Sequence, residues 1–196
     1  MTRPATATAA AGGTRLTLIS HGMTSALRAA RFPDDEDLEP GAVASARSAA
    51  FRLRVPDRTW CDDTARTRQT VRALGWVPVT DPLLADLDVG RWKGLALHEV
   101  SPEELHRWCT DPAAAPHGGE SVNGLLQRVD GWLQQVTALP GRTVAVTHPA
   151  VVRAVLITTL RADASSFWRV DIGPLSATKL RWRAPFWTFQ QVNAII

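Results

Sequence analysis

The chain has no tyrosine, two cysteines and two methionines in 196 residues. Its aromatic surface therefore falls to eight tryptophans and five phenylalanines. Two cysteines exclude a disulfide scaffold. Cys61 and Cys109 each lie beside a tryptophan, have no CxxC neighbour, and are expected as free, buried thiols of a cytoplasmic protein. No window approaches the about 20 apolar residues of a membrane span, so no membrane partner is expected. The opening "MTRPATATAAAGG" lacks the aliphatic core of a signal peptide and reads as a disordered tail over residues 1–13. No Lys/Arg stripe appears and the formal net charge is only +3, so nucleic-acid binding is not expected. Internal repeats are absent.

What is present suits one globular domain over residues 14–196, with 45% hydrophobic and 21% charged residues. "RLTLIS" and "RTVAVT" are β-branched runs of strand length, and "RTWC" is a shorter one. "GAVASARSAAFRL", "DDTARTRQTVRALG" and "SVNGLLQRVDGWLQQVTAL" read as helices. "HEVSPEELHRWCTD" contains another, opened by Ser101 and Pro102. "HPAVVRAVLITTLR" is a mostly apolar helix with proline near its first turn. "ATKLRWR" and "FWTFQQV" alternate around "APF", a hairpin or two edge strands. Alternating strands and helices predict a three-layer α/β/α sandwich with a mainly parallel sheet.

Two strands end in histidine: "LTLIS" runs into His21, and "TVAVT" into His148. Ligands of open α/β sheets bind beyond the carboxyl ends of strands, where helix N-termini favour anions. Taken alone, each histidine reads equally well as a hydrogen-bonded, half-buried ring. The matched placement favours a phosphate site.

"SHGMT" resembles the Arg-His-Gly signature of the histidine phosphatase superfamily, which includes the phosphoglycerate mutases. "ARF" and "DLEPG", "DDTARTRQT", "LADLDVGRWKG", "HGGES" and "AVTHP" are similar to further landmarks of that family, in the family's order. The resemblance implies a phosphoglycerate mutase-like fold and a phosphatase of a small phosphoester, working without metal or other cofactor. The leaving group could be a sugar, a nucleoside-like alcohol or a ribazole. His21 would attack phosphorus, Arg66 would clamp the phosphate oxygens, and His148 would donate to the phosphoryl group. Asp86 would protonate the leaving oxygen, with nearby Asp88 the alternative acid. Ser20, Gly22, Thr24 and Arg31 would complete the substrate contacts. A homodimer is compatible with the sequence.

The pattern also breaks. Ser20 replaces the signature arginine, and Arg28 or Arg31 could lean in to compensate. Losing a charged clamp costs several kcal/mol of transition-state stabilisation, about a thousandfold in rate, where nothing compensates. Leu27 stands where mutases often have asparagine, Met23 replaces a glutamate, Asp62 and Asp63 replace Ser-Pro, and Pro149 removes a backbone N–H. These departures argue against a glycolytic mutase. They leave a phosphatase or, as the alternative, a weak or inactive phosphate-binding relative. His117, beside Gly118 and Gly119, is a possible substrate contact. His98 and His106 read as surface residues, and Trp108 as a candidate wall for a planar leaving group.

Overall fold

The computed structural model describes residues 13–196. All of the expected tail except Gly13 therefore lies outside the described residues. The elements run β1 (Arg15–Ser20), α1 (Ser25–Arg28), α2 (Pro40–Ala50), β2 (Arg58–Cys61), α3 (Ala65–Ala73), β3 (Val79–Thr80), α4 (Pro102–Thr110), α5 (Val122–Thr137), β4 (Arg142–Thr147), α6 (Pro149–Leu160), β5 (Ser176–Arg183) and β6 (Phe186–Ile195). Short 3₁₀ turns fill the 82–99 segment and residues 164–169. The six strands form one sheet in the order β3-β2-β4-β1-β5-β6. The first four are parallel, whereas β5 and β6 are an antiparallel hairpin on the far edge. The sheet is thus mixed, with the parallel part centred on β1 and β4.

β1 shows why a central strand reads as a continuous apolar run. Leu16 and Leu18 are buried under α5 and α6 with Val129, Leu133, Val151 and Val155. Ile19 is buried on the other face with Ala46, Ala49 and Val71 of α2 and α3. Both faces are covered, so alternation is lost. Arg15 and Thr17 share the face of Ile19, by strand alternation. The α2–α3 layer packs tightly because α2 offers only alanines, Ala42, Ala46 and Ala49, to the sheet.

Ser121 caps α5 by accepting from the Gly124 N–H, and Ser101 caps α4 by accepting from Glu104, with Pro102 in the first helical turn. The stretch "HGMTSALRAARF", whose sequence suits the start of a turn or a helix, holds only the four residues of α1, capped by Thr24. Cys61 is buried as expected, but Cys109 is exposed on the outer face of α4. Both are free thiols. Among the described residues, no helix is long and apolar enough to cross a membrane.

Candidate active site

The sheet register creates the site. β1 and β4 are adjacent and parallel, with Ser20 opposite Thr147. The next residue of each strand is His21 and His148, so the two rings leave the sheet side by side. The His21 N–H donates to the Thr147 carbonyl at 2.9 Å, and the ring centroids lie 5.3 Å apart in an edge-to-face arrangement. His148 is also the N-cap of α6, with Pro149 next. Proline costs no hydrogen bond there, because a first-turn N–H has no partner inside the helix.

His21 is 5% exposed. Its Nδ1 lies 2.7 Å from the Gly22 carbonyl, which can only accept, so Nδ1 carries the hydrogen and Nε2 keeps the lone pair. Burial, with the positive charges of His148 and Arg66, pushes the ring down to about 3. His21 is therefore neutral at physiological pH, the state a nitrogen nucleophile requires.

Arg66 projects from the first turn of α3 and is 2% exposed. It donates through one terminal nitrogen to the Asp34 carbonyl (2.5 Å) and through the other to Asp86 Oδ2 (3.2 Å). Its Nε lies 3.3 Å from His148 Nδ1, and Glu36 stands 3.9 Å away. Asp86 Oδ2 is also 3.3 Å from His148 Nδ1. Burial would raise the Asp86 carboxyl, but the charge and contact of His148 and the charge of Arg66 hold it well below the ordinary carboxylate range. Asp88 stands apart. It is half-exposed, ion-paired with Lys93 at 3.0 Å, and accepts from the Gly90 N–H.

His148 is fully buried between two carboxylates. Asp86 faces Nδ1, and Asp62 Oδ2 lies 3.0 Å from Nε2, off the axis of a well-aligned hydrogen bond. Burial alone would lower the ring, but Asp86 and Asp62 together raise it above its usual value. The ring is thus held toward imidazolium. When protonated it turns Nδ1–H to Asp86, and the Arg66 Nε contact then serves only the neutral ring. Asp62 is itself fixed by the Thr67 hydroxyl (2.5 Å) and the Thr64 hydroxyl (3.0 Å). Asp62 was visible in the sequence only as a departure from Ser-Pro.

Other sequence candidates fall differently. The structure does not bring Ser20 to the pocket. Ser20 is fully buried, its hydroxyl donates to the Gly173 carbonyl at 2.5 Å, and it accepts from the Ser176 N–H. The start of β5 fills the space a longer side chain would need. The Gly22 N–H is spent on the Thr70 hydroxyl, leaving the Gly22 carbonyl as its contribution. Thr24 reaches the pocket wall, but its hydroxyl donates to Glu36 and caps α1. Arg28 is paired with Glu39 on the surface. Arg31 lines the pocket mouth, tethered to the Gly94 carbonyl and to Glu99. His117 is buried against Trp92 and outside the pocket. His98 and His106 are exposed.

The pocket in front of His21 and Asp86 has a volume of about 150 Å³. Its walls are chiefly apolar: Leu27, Phe32, Leu87, Val89, Trp108 and Trp168. One further cation joins it, Arg153 of α6, whose guanidinium lies 5.6 Å over Trp168 and whose Nε donates to the Val170 carbonyl. Its spacing from Pro149, one helical turn, was the signal that would have placed it on the pocket side of α6. No group of three or more metal-ligating side chains occurs among the described residues.

Paired imidazoles at the carboxyl edge of a helix-flanked sheet place the protein in the phosphoglycerate mutase-like class of α/β sandwiches. The chain belongs to the histidine phosphatase superfamily (branch 1), whose sequence profile matches residues 16–195. Phosphoserine phosphatase 1 of Hydrogenobacter thermophilus is 31% identical over 96 residues, which cover 46% of each chain. The matched segment thus spans about half the length of that relative. The solved structure of mycobacterial glucosyl-3-phosphoglycerate phosphatase with VO3 superposes with a TM-score of 0.83 at 25% identity, covering 92% of this chain and 99% of its own. TTHB049 of Thermus thermophilus gives 0.75 at 27% identity, covering 93% and 99%.

Proposed function

We propose that the protein hydrolyses a small phosphomonoester through a phosphohistidine on His21. The observation that carries this reading is the His21 ring itself, neutral, oriented by Gly22, and presenting a free Nε2 beside Arg66, His148 and Asp86. The names of the phosphoserine and glucosyl-3-phosphoglycerate phosphatases among its relatives support the same class of substrate.

In the first half-reaction, His21 Nε2 forms a bond to phosphorus as the bond to the leaving oxygen breaks. Asp86 gives that oxygen a proton, and the alcohol departs. In the second, Asp86 takes a proton from water, the hydroxide attacks phosphorus, and the N–P bond breaks to release phosphate and restore His21. Arg66 donates to the phosphoryl oxygens, and the buried His148 imidazolium adds its positive charge behind them. Asp86 is an anion in the free site, so its proton arrives with the substrate. A bound phosphate dianion repels the carboxylate and raises its pKa. The apolar, tryptophan-walled pocket favours a leaving group with a planar or apolar face, as in a nucleoside or ribazole, over an open polyol.

Replacing His21 with alanine is expected to abolish turnover of every accepted phosphoester. Brief mixing of the unaltered protein with a labelled aryl phosphate is expected to leave an acid-labile, alkali-stable phosphoprotein. Retention of more than a few per cent of activity in the alanine variant would refute the mechanism. The buried, unavailable Ser20 favours a second reading, a non-catalytic phosphate-binding protein. That reading requires vanadate binding without any turnover.

A further inference from the structure

The chain's surplus positive charge is concentrated far from the site just described. Arg15 begins β1, at the opposite end of the strand from His21. It stands directly between Arg142 of β4 and Arg181 of β5, in register with both. Register partners on neighbouring strands point to the same face, so three arginines form one row across the middle of the sheet. Lys179 lies on the same face, opposite Thr17. α2 and α3 cover this face only beside Ile19, Val144 and Val146, leaving the row outside their cover.

Above it opens a cleft of about 360 Å³, lined by Arg15, Arg142, Lys179, Arg52, Arg54 and Trp76. Arg52 and Arg54 reach it from the loop between α2 and β2. Among the described residues none of these five cations has a carboxylate within ion-pair distance. The nearest loop acid, Asp57, accepts from the Arg142 backbone N–H at 2.7 Å. The Nε atoms of Arg142 and Arg181 are buried with no hydrogen-bond partner. No residue before Gly13 is acidic, so that segment carries no charge that could neutralise the cleft.

Like charges set directly opposite one another on neighbouring strands destabilise a sheet. Buried guanidinium donors without acceptors cost more again. A surface that only needed solubility would disperse these charges. We infer that the cleft is a binding site for a small polyphosphorylated ligand carrying a planar ring, that is, a nucleoside di- or triphosphate. A chain of phosphates can lie over Arg15 and Arg142, the two members of the row that line the cleft, and reach Arg52 and Arg54, which one phosphate cannot span. Trp76, flanked by Leu53 and Pro56, supplies an apolar wall for the ring. The volume suits one nucleotide and leaves no room for a folded nucleic acid. This site is independent of the phosphatase reading, since none of its residues lines the pocket of His21.

The test titrates adenosine triphosphate, inorganic tripolyphosphate and a single-stranded oligonucleotide into the full-length protein by calorimetry, with orthovanadate held saturating. The nucleotide is expected to bind once per chain and more tightly than tripolyphosphate. Exchanging Arg52 and Arg54, both exposed, for glutamine leaves the fold untouched and is expected to weaken binding at least tenfold. Trp76→Ala should remove the advantage of the nucleotide over tripolyphosphate, and Arg66→Ala should change neither. In the absence of ligand, Arg15→Thr is expected to raise the melting temperature at low salt. The inference is overturned by absence of saturable binding, by loss of binding in Arg66→Ala with retention in the Arg52/Arg54 variant, or by tighter binding of the oligonucleotide.

Discussion

Replacing Asp62 with asparagine tests whether the two carboxylates around His148 set its charge. Asp62 is 2% exposed and His148 is fully buried. Removing one partner of such a pair costs about 3–5 kcal/mol. The asparagine oxygen still accepts from Thr64 and Thr67, so roughly 2–3 kcal/mol is expected, or about 5–10 °C in melting temperature for a chain of this length. The loss depends on pH in a definite direction. His148 has a raised pKa in the folded protein. Its pairing therefore stabilises fully below the unfolded value of about 6.5 and is lost as pH rises through the folded value. Asp62 is lowered, because contact with His148 and the threonine hydroxyls outweighs its burial. Its share is present above about 3.9 and is lost as pH falls through the folded value. The gap between wild type and Asp62→Asn should therefore be widest near pH 5–6 and narrow by pH 9. Calorimetric melts at both values measure it, and NMR of ring-labelled histidine follows His148 directly. In the variant, the ring should titrate at lower pH, and the alkaline limb of kcat should move down with it. A gap of equal size at pH 6 and pH 9, with an unmoved His148 titration, would refute the reasoning.

Ser20→Arg, which would restore the family's signature arginine, is expected to destabilise by several kcal/mol and to lower activity. Ser20 has no exposed surface and β5 occupies its surroundings, and overpacked cores relax poorly; a rise in phosphatase activity would contradict this. Asp86→Asn should slow an alkyl phosphate by about 10²–10⁴-fold but an aryl phosphate far less, because only the alkoxide needs a proton. Equal losses on both would remove Asp86 from the acid's role. Vanadate should bind more tightly as pH falls from 8 to 5.5, since the bound anion and Asp86 share a proton that the free site lacks; flat affinity would show that no proton is taken up.

Much of the fold was legible because its elements carry independent local signals. β1 and β4 are β-branched runs, α5 repeats its apolar residues at helical spacing, and Ser101-Pro102 and Ser121 mark helix starts. The C-terminal hairpin was readable from alternation, but its antiparallel attachment to β1 was not, because pairing partners leave no trace in one strand's pattern. The exposure of Cys109 was missed for a related reason: it depends on which face of α4 a neighbouring segment covers, which is a tertiary fact. The arginine row was invisible for the same cause: Arg15, Arg142 and Arg181 are scattered in sequence, and only register aligns them. A net charge of +3 spread evenly and the same charge gathered in one cleft have identical compositions.

The site was legible in its residues but not in its charge. His21, Arg66, Asp86 and His148 do converge, and of the two candidate acids Asp86 lies among them, whereas Asp88 is turned to Lys93. What the sequence showed as two separate blemishes, serine for arginine at 20 and aspartate for serine at 62, the structure joins into one change. The first removes a positive charge and the second adds a negative one beside His148. Measured against the family's pattern, these two positions make the surroundings of the site two charges more negative. A monoanionic phosphoester, or a dianion that brings a proton for Asp86, is therefore favoured over an unprotonated dianion. The two departures together need not mark a decayed enzyme. They bias the same chemistry toward acid, with a histidine kept cationic by Asp62 supplying some of the charge that the missing guanidinium would have held.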